Sequence, residues 1–141
     1  MAKFEEVFED TQALFTNFIG AIDNLREVNI KILANNNLKE IGKVVKANDL
    51  LKFMTQEDIV ILLNENIFEQ LDDEQKMMVV EELIAAVYFD ADKGKVSIIK
   101  PDINTFSLLL RKYGYEKYET LHESVKALFA QTEEQEAENN Q

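Results

Sequence analysis

Apolar residues fall at Phe4, Val7, Phe8, Phe15, Phe18, Ile22 and Leu25, a spacing of three and four that gathers them on one stripe of an N-terminal amphipathic helix. The pattern then shortens to alternation. "NIKIL" (29–33) reads as a half-buried strand, "NNN" (35–37) as a turn and "EIGKVVKA" (40–47) as a second strand, so the pair predicts a hairpin. "NDLLKFMTQ" (48–56) suits a short helix or loop. "DIVILLN" (58–64) is a continuous apolar, β-rich run fit for a central strand covered on both faces.

From about Asp73 to Tyr88 the apolar residues Met77, Met78, Val79, Val80, Leu83, Ile84, Ala85, Ala86, Val87 and Tyr88 leave almost no polar face, which predicts a helix buried nearly all round. Asp72 and Asp73 suit its N-terminus, where carboxylates accept free amides and complement the helix dipole. "DADKGK" (90–95) is a turn, "VSIIK" (96–100) a strand stopped by Pro101, and Asp102 can cap a helix carrying Ile103, Phe106, Leu110 and Tyr113 and ending at Gly114. A last helix uses Leu121, Val125, Leu128 and Phe129. The fold class is α+β, one domain over residues 1–131 with an N-terminal helix, a sheet of three to four strands, a buried central helix and C-terminal helices. The acidic run at 132–141 has nothing to bury and is expected to be disordered.

A length of 141 residues and a hydrophobic fraction of 46% are enough for one core without staples. The chain has no cysteine, so disulfides and thiolate metal sites are excluded and a reducing cytoplasm fits. "MAKFEEVFED" places acids where a signal peptide needs a basic start, and no apolar run approaches the roughly 20 residues that span a bilayer. The net charge of −12 disfavours phosphate-backbone and anionic-membrane binding, both of which need clustered Lys and Arg. A protein partner, possibly basic, is compatible with it.

Catalytic chemistry is sparse. His122 is the only histidine and reads as a surface residue of the last helix. "DADKG" (90–94) is similar to the opening of a calcium loop, but its glycine comes one position early and Pro101 stands where a closing bidentate glutamate is needed. No nucleophile-elbow sequence or phosphate-cradling glycine loop is present. The Phe and Met residues at helical spacing are core material.

The order of these segments resembles the metallopeptidases of bacteriophages, a minimal zincin-like family. The likeness rests on "IKIL", a strand containing Gly42-Lys43, "NDLLKFMTQEDIVILLNENIFEQLDDEQK", "EELIA" (81–85), "KPDINTF" (100–106) and "RKYG" (111–114), and covers roughly residues 25–114. The family's helix carries H-E-L-x-H and its later segment an H-D pair. Two histidines one helical turn apart then grip zinc, with the glutamate as general base on the metal-bound water. The resemblance matches Glu81 to the first histidine, Ala85 to the second and Pro101 to that of the H-D pair. Only Glu82, at the general-base position, and Asp102 keep the family's residue type. Alanine and proline side chains offer no donor atom, and a base without a metal has no acidified water to deprotonate.

The resemblance therefore implies a pseudoenzyme: no catalytic residues, no cofactor, and vestigial ligand positions at Glu81, Ala85 and Pro101. Such a chain is expected to be phage- or prophage-encoded and to act as a protein-binding module in the bacterial cytoplasm. A carboxylate-based metal hydrolase using Glu81, Glu82 and Asp102 is one alternative, although adjacent Glu81 and Glu82 lie about 100° apart around a helix and converge poorly. An acidic DNA mimic that inhibits a DNA-binding protein is another. Glu81, if it points into the vacated pocket, needs a lysine such as Lys43 or Lys100, or else a carboxyl whose pKa burial has raised.

Overall fold

A computed structural model describes residues 4–90, 92–99 and 112–139, with side chains to Glu134. The chain runs β1 (Glu5–Glu6), α1 (Glu9–Gly20), a 3₁₀ turn (Asp23–Leu25), β2 (Ile30–Ala34), β3 (Gly42–Lys46), α2 (Asp49–Thr55), β4 (Ile59–Leu63), α3 (Glu65–Phe68), α4 (Asp73–Ala85), β5 (Val87–Asp90), β6 (Lys95–Ile98) and α5 (Tyr115–Asn139). This is the α+β class that the sequence predicts. The four-stranded sheet has the order β1-β2-β4-β3, and β5 and β6 form a separate antiparallel pair.

β4 takes the interior because every side chain in it is apolar. Ile59, Ile61 and Leu63 are fully buried, and Val60 and Leu62 on the opposite face are partly covered. They join Ile32 of β2, Phe15 of α1, Phe68 of α3 and Met78, Val79, Val80 and Ile84 of α4 in one hydrophobic cluster. Full burial of each such side chain stabilises the fold by about 1.5–3 kcal/mol. Among the described residues no helix is long and apolar enough to cross a membrane.

The predicted hairpin of β2 with β3 does not form. Both strands pair with β4 instead, β2 in parallel (Ile30↔Ile59 to Ala34↔Leu63) and β3 antiparallel (Gly42↔Leu63 to Lys46↔Ile59). The asparagine run explains the difference, because it caps the end of β4 and does not close a two-strand turn. Asn35 N–H donates to the Leu63 carbonyl (2.9 Å), Asn64 N–H to Ile41 (2.8 Å) and the Asn64 side chain to Leu38 (3.1 Å), while Asn66 N–H reaches the Asn36 side chain (3.1 Å). The connection is thereby carried over β4, and polar groups that would otherwise be orphaned are satisfied.

Three boundaries also move. The first helix starts at Glu9 because residues 5–6 are taken by the edge of β2 (Glu5↔Ala34, Glu6↔Leu33) and the Phe8 amide donates to the Glu65 carboxylate at 3.0 Å; Phe4 and Phe8 stay exposed. The buried helix stops at Ala85, since Val87, Tyr88 and Phe89 pair with β6 (Val87↔Ile98 to Asp90↔Lys95) and Ile99 N–H donates to the Ala86 carbonyl. α5 continues to Asn139, through the run for which the sequence predicts disorder; Glu, Gln and Ala in that run are good helix formers.

Candidate functional site

The site assembles on α4. Asp72 accepts the Gln75 amide at 2.7 Å and Gln75 Oε1 accepts the Asp72 amide at 3.3 Å, a reciprocal capping box that fixes where the helix begins. That start sets the rotation of every later turn. Two further pairs tie α4 to α5: the Gln75 side-chain amide donates to Ser124 Oγ (3.3 Å), and Lys117 Nζ lies 3.0 Å from Glu74 Oε2.

Glu81 is buried, and its carboxylate is ion-paired with Lys112, just ahead of α5. The Tyr113 hydroxyl also hydrogen-bonds to it; burial first, then this carboxylate, hold the Tyr113 phenol well above its ordinary range. The expected partner Lys43 is elsewhere, lining the cavity on the Glu82 side, and Lys100 lies outside the described residues. Lys112 was not legible as the partner because it is 31 residues away in sequence. The signal that points towards it is the "RKYG" run that belongs to the family resemblance.

Ala85 follows Glu81 by four residues, and the two line the same cavity of about 290 Å³ with Phe18, Ile22, Ile84 and Phe89. Ala85 is exposed and not buried as the all-apolar helix pattern predicts, because α4 ends there. Glu82 lines a different cavity of about 560 Å³, between β3 (Gly42, Val44), α4 (Leu83) and the end of the β5–β6 pair (Ile98, Ile99). Burial raises the Glu82 carboxyl above its ordinary pKa, with His122 and a hydrogen bond from Tyr118 acting the other way. The Tyr118 phenol is raised in turn, by burial and by Glu82. His122 is exposed, as expected, yet its ring lies against Tyr118 with centroids 4.5 Å apart, at the same cavity.

The two adjacent glutamates thus line separate cavities and meet separate partners. The Asp90 carboxylate accepts the amides of Asp92 (3.1 Å) and Lys93 (3.3 Å), and Gly94 has φ +63°, so the acidic turn is held by its own backbone. Pro101 and Asp102 lie outside the described residues. Among the described residues no three His, Cys, Asp or Glu side chains gather closely enough to hold a metal. The two helical positions that the resemblance matches to zinc ligands do not fit zinc: Glu81 is ion-paired with Lys112, and Ala85 has no donor atom.

Close approach of β3 to α4 requires Gly42. A Cβ there would stand 2.7 Å from Leu83 Cδ1 and 3.3 Å from the Leu62 carbonyl oxygen. The small residue lets the edge strand and the helix share one cavity wall.

A match to the family described as "Putative phage metallopeptidase" spans residues 3–131. No curated protein and no solved structure matches the chain.

Proposed function

The chain belongs to this phage metallopeptidase family, and from that premise we propose that it is a catalytically inactive member, phage- or prophage-encoded, that binds polypeptide in the cytoplasm of a bacterial host. The observation that carries this reading is the Glu81–Lys112 ion pair. A carboxylate neutralised by an ammonium is a poor ligand for a cation, and a lysine beside the site adds positive charge where a dication would sit. With Ala85 offering no donor, Glu82 has no metal-bound water to act on. Glu82 instead accepts a hydrogen bond from Tyr118, as a wall residue of the cavity would.

The cavity beside Glu82 supports the binding half of the reading. β3 has one hydrogen-bonded neighbour, β4, so its other edge has no strand paired to it among the described residues. An extended segment can add to such an edge through main-chain hydrogen bonds, with its side chains set against Val44, Leu83, Ile98 and Ile99. The test is an NMR titration with casein as an unfolded polypeptide, in buffer containing zinc. Shifts at residues 42–46, Glu82 and Ile98, with casein intact by mass spectrometry, are expected. Cleavage products that disappear on chelation would overturn the proposal.

A further inference from the structure

α2 is amphipathic the wrong way round for a surface helix. Leu50, Leu51, Phe53 and Met54 are 65%, 48%, 80% and 69% exposed, and no residue of the helix is buried. At 100° per residue they fall within an arc of about 160°, with Lys52 opposite its centre. Lys52 is the residue tied to the body of the protein: its Nζ lies 2.9 Å from Oδ1 of buried Asp58, whose Oδ2 accepts the Asn29 amide at 2.9 Å.

The helix is also firmly built. Asn48 accepts the Leu51 amide at 2.8 Å, and Gln56 closes the C-terminus in the left-handed conformation with its amide on the Lys52 carbonyl. A capped helix, ion-paired to the body of the protein through Lys52, therefore presents four large apolar side chains to water. A contiguous apolar surface of this kind marks an interaction site.

We propose that α2 is a self-association element whose outward face packs on the same face of a second copy of this chain. Two observations select that occupant. The exposure of the four side chains corresponds to roughly 500 Å² per copy, so a two-fold pairing that covered them fully would bury on the order of 1,000 Å², which reaches the threshold of a specific interface. The second is charge. Residues 38–58 carry Lys39, Lys43, Lys46 and Lys52 against Glu40, Asp49, Glu57 and Asp58, so the whole net charge of −12 lies outside this segment. Two copies can meet through it without bringing their acidic surfaces together, whereas an anionic bilayer would repel the rest of the molecule.

The inference is independent of the zinc and polypeptide readings, and its test is sedimentation velocity of the full chain across the micromolar range. The wild type is expected to dimerise, and to remain dimeric in high salt because the contact is apolar. Phe53→Asp, and separately Leu50→Ser with Met54→Ser, should each weaken the dimer by about 30-fold or more, the effect of losing a central hot spot. All three positions are exposed, so unchanged circular dichroism is expected in both variants. A wild type that is monomeric throughout, a dimer indifferent to both variants, or a monomer that co-sediments with phosphatidylcholine vesicles would each overturn the proposal.

Discussion

At residue 82, the position that the resemblance matches to the family's glutamate, the carboxyl sits against Tyr118 and His122. Burial lifts the Glu82 carboxyl above its ordinary 4.5, against the opposing pull of His122 and the Tyr118 hydroxyl. The native state then holds this proton more tightly than the unfolded chain does. Its contribution to stability is greatest below pH 4.5 and declines as the pH rises from there through the folded value. Glu82→Gln keeps an acceptor for Tyr118 and removes the titration. Urea midpoints measured from about pH 4 to about pH 7 should therefore shift progressively in favour of the variant; a constant difference would mean that Glu82 does not titrate as its burial implies. Glu81, one residue earlier, meets its charge requirement through Lys112. The sequence could state the need for a cation there, since a buried carboxylate demands one. It could not state which cation, because that depends on where the start of α5 lands.

Between elements, the approach of β3 to α4 shapes the cavity, and Gly42 sets that distance. Gly42→Ala places a methyl against the flexible tip of Leu83 but also against the Leu62 carbonyl, which cannot yield cheaply. A destabilisation of about 1–2 kcal/mol by urea denaturation is expected, typical of overpacking. A neutral effect would mean that the strand and helix are further apart than described. The elements themselves were largely legible. β2, β3, β4 and the body of α4 follow from periodicity and from turn residues, and Gly114, with φ +86°, stands where a helix end was expected. Their partnering was less legible: alternation in residues 29–33 and 42–46 identifies two strands, but whether they pair with each other or flank a third depends on the Asn35, Asn36 and Asn64 hydrogen bonds. The exposed face of α2 was equally hidden. The same four apolar residues would read as core in most helices, and nothing in their spacing says that this helix turns them outward.

Across the whole molecule, α4 is the element on which the sheet and α5 converge. α4 is fixed at its start by the Asp72–Gln75 box, along one side by the sheet, and along another by polar pairs to the region around α5. The candidate site was legible only in part. The resemblance draws attention to Glu81, Glu82 and Ala85 on α4, whereas their neighbours Lys112, Tyr118 and His122 could not be read, because chain folding brings them in. The most direct measurement is a zinc titration of the wild type beside Glu81→His/Ala85→His/Pro101→His, followed by native mass spectrometry. The expected result is no stoichiometric zinc on the wild type and a clear gain on the folded triple variant. One tightly held zinc per wild-type chain, lost on Glu81→Gln, would contradict it.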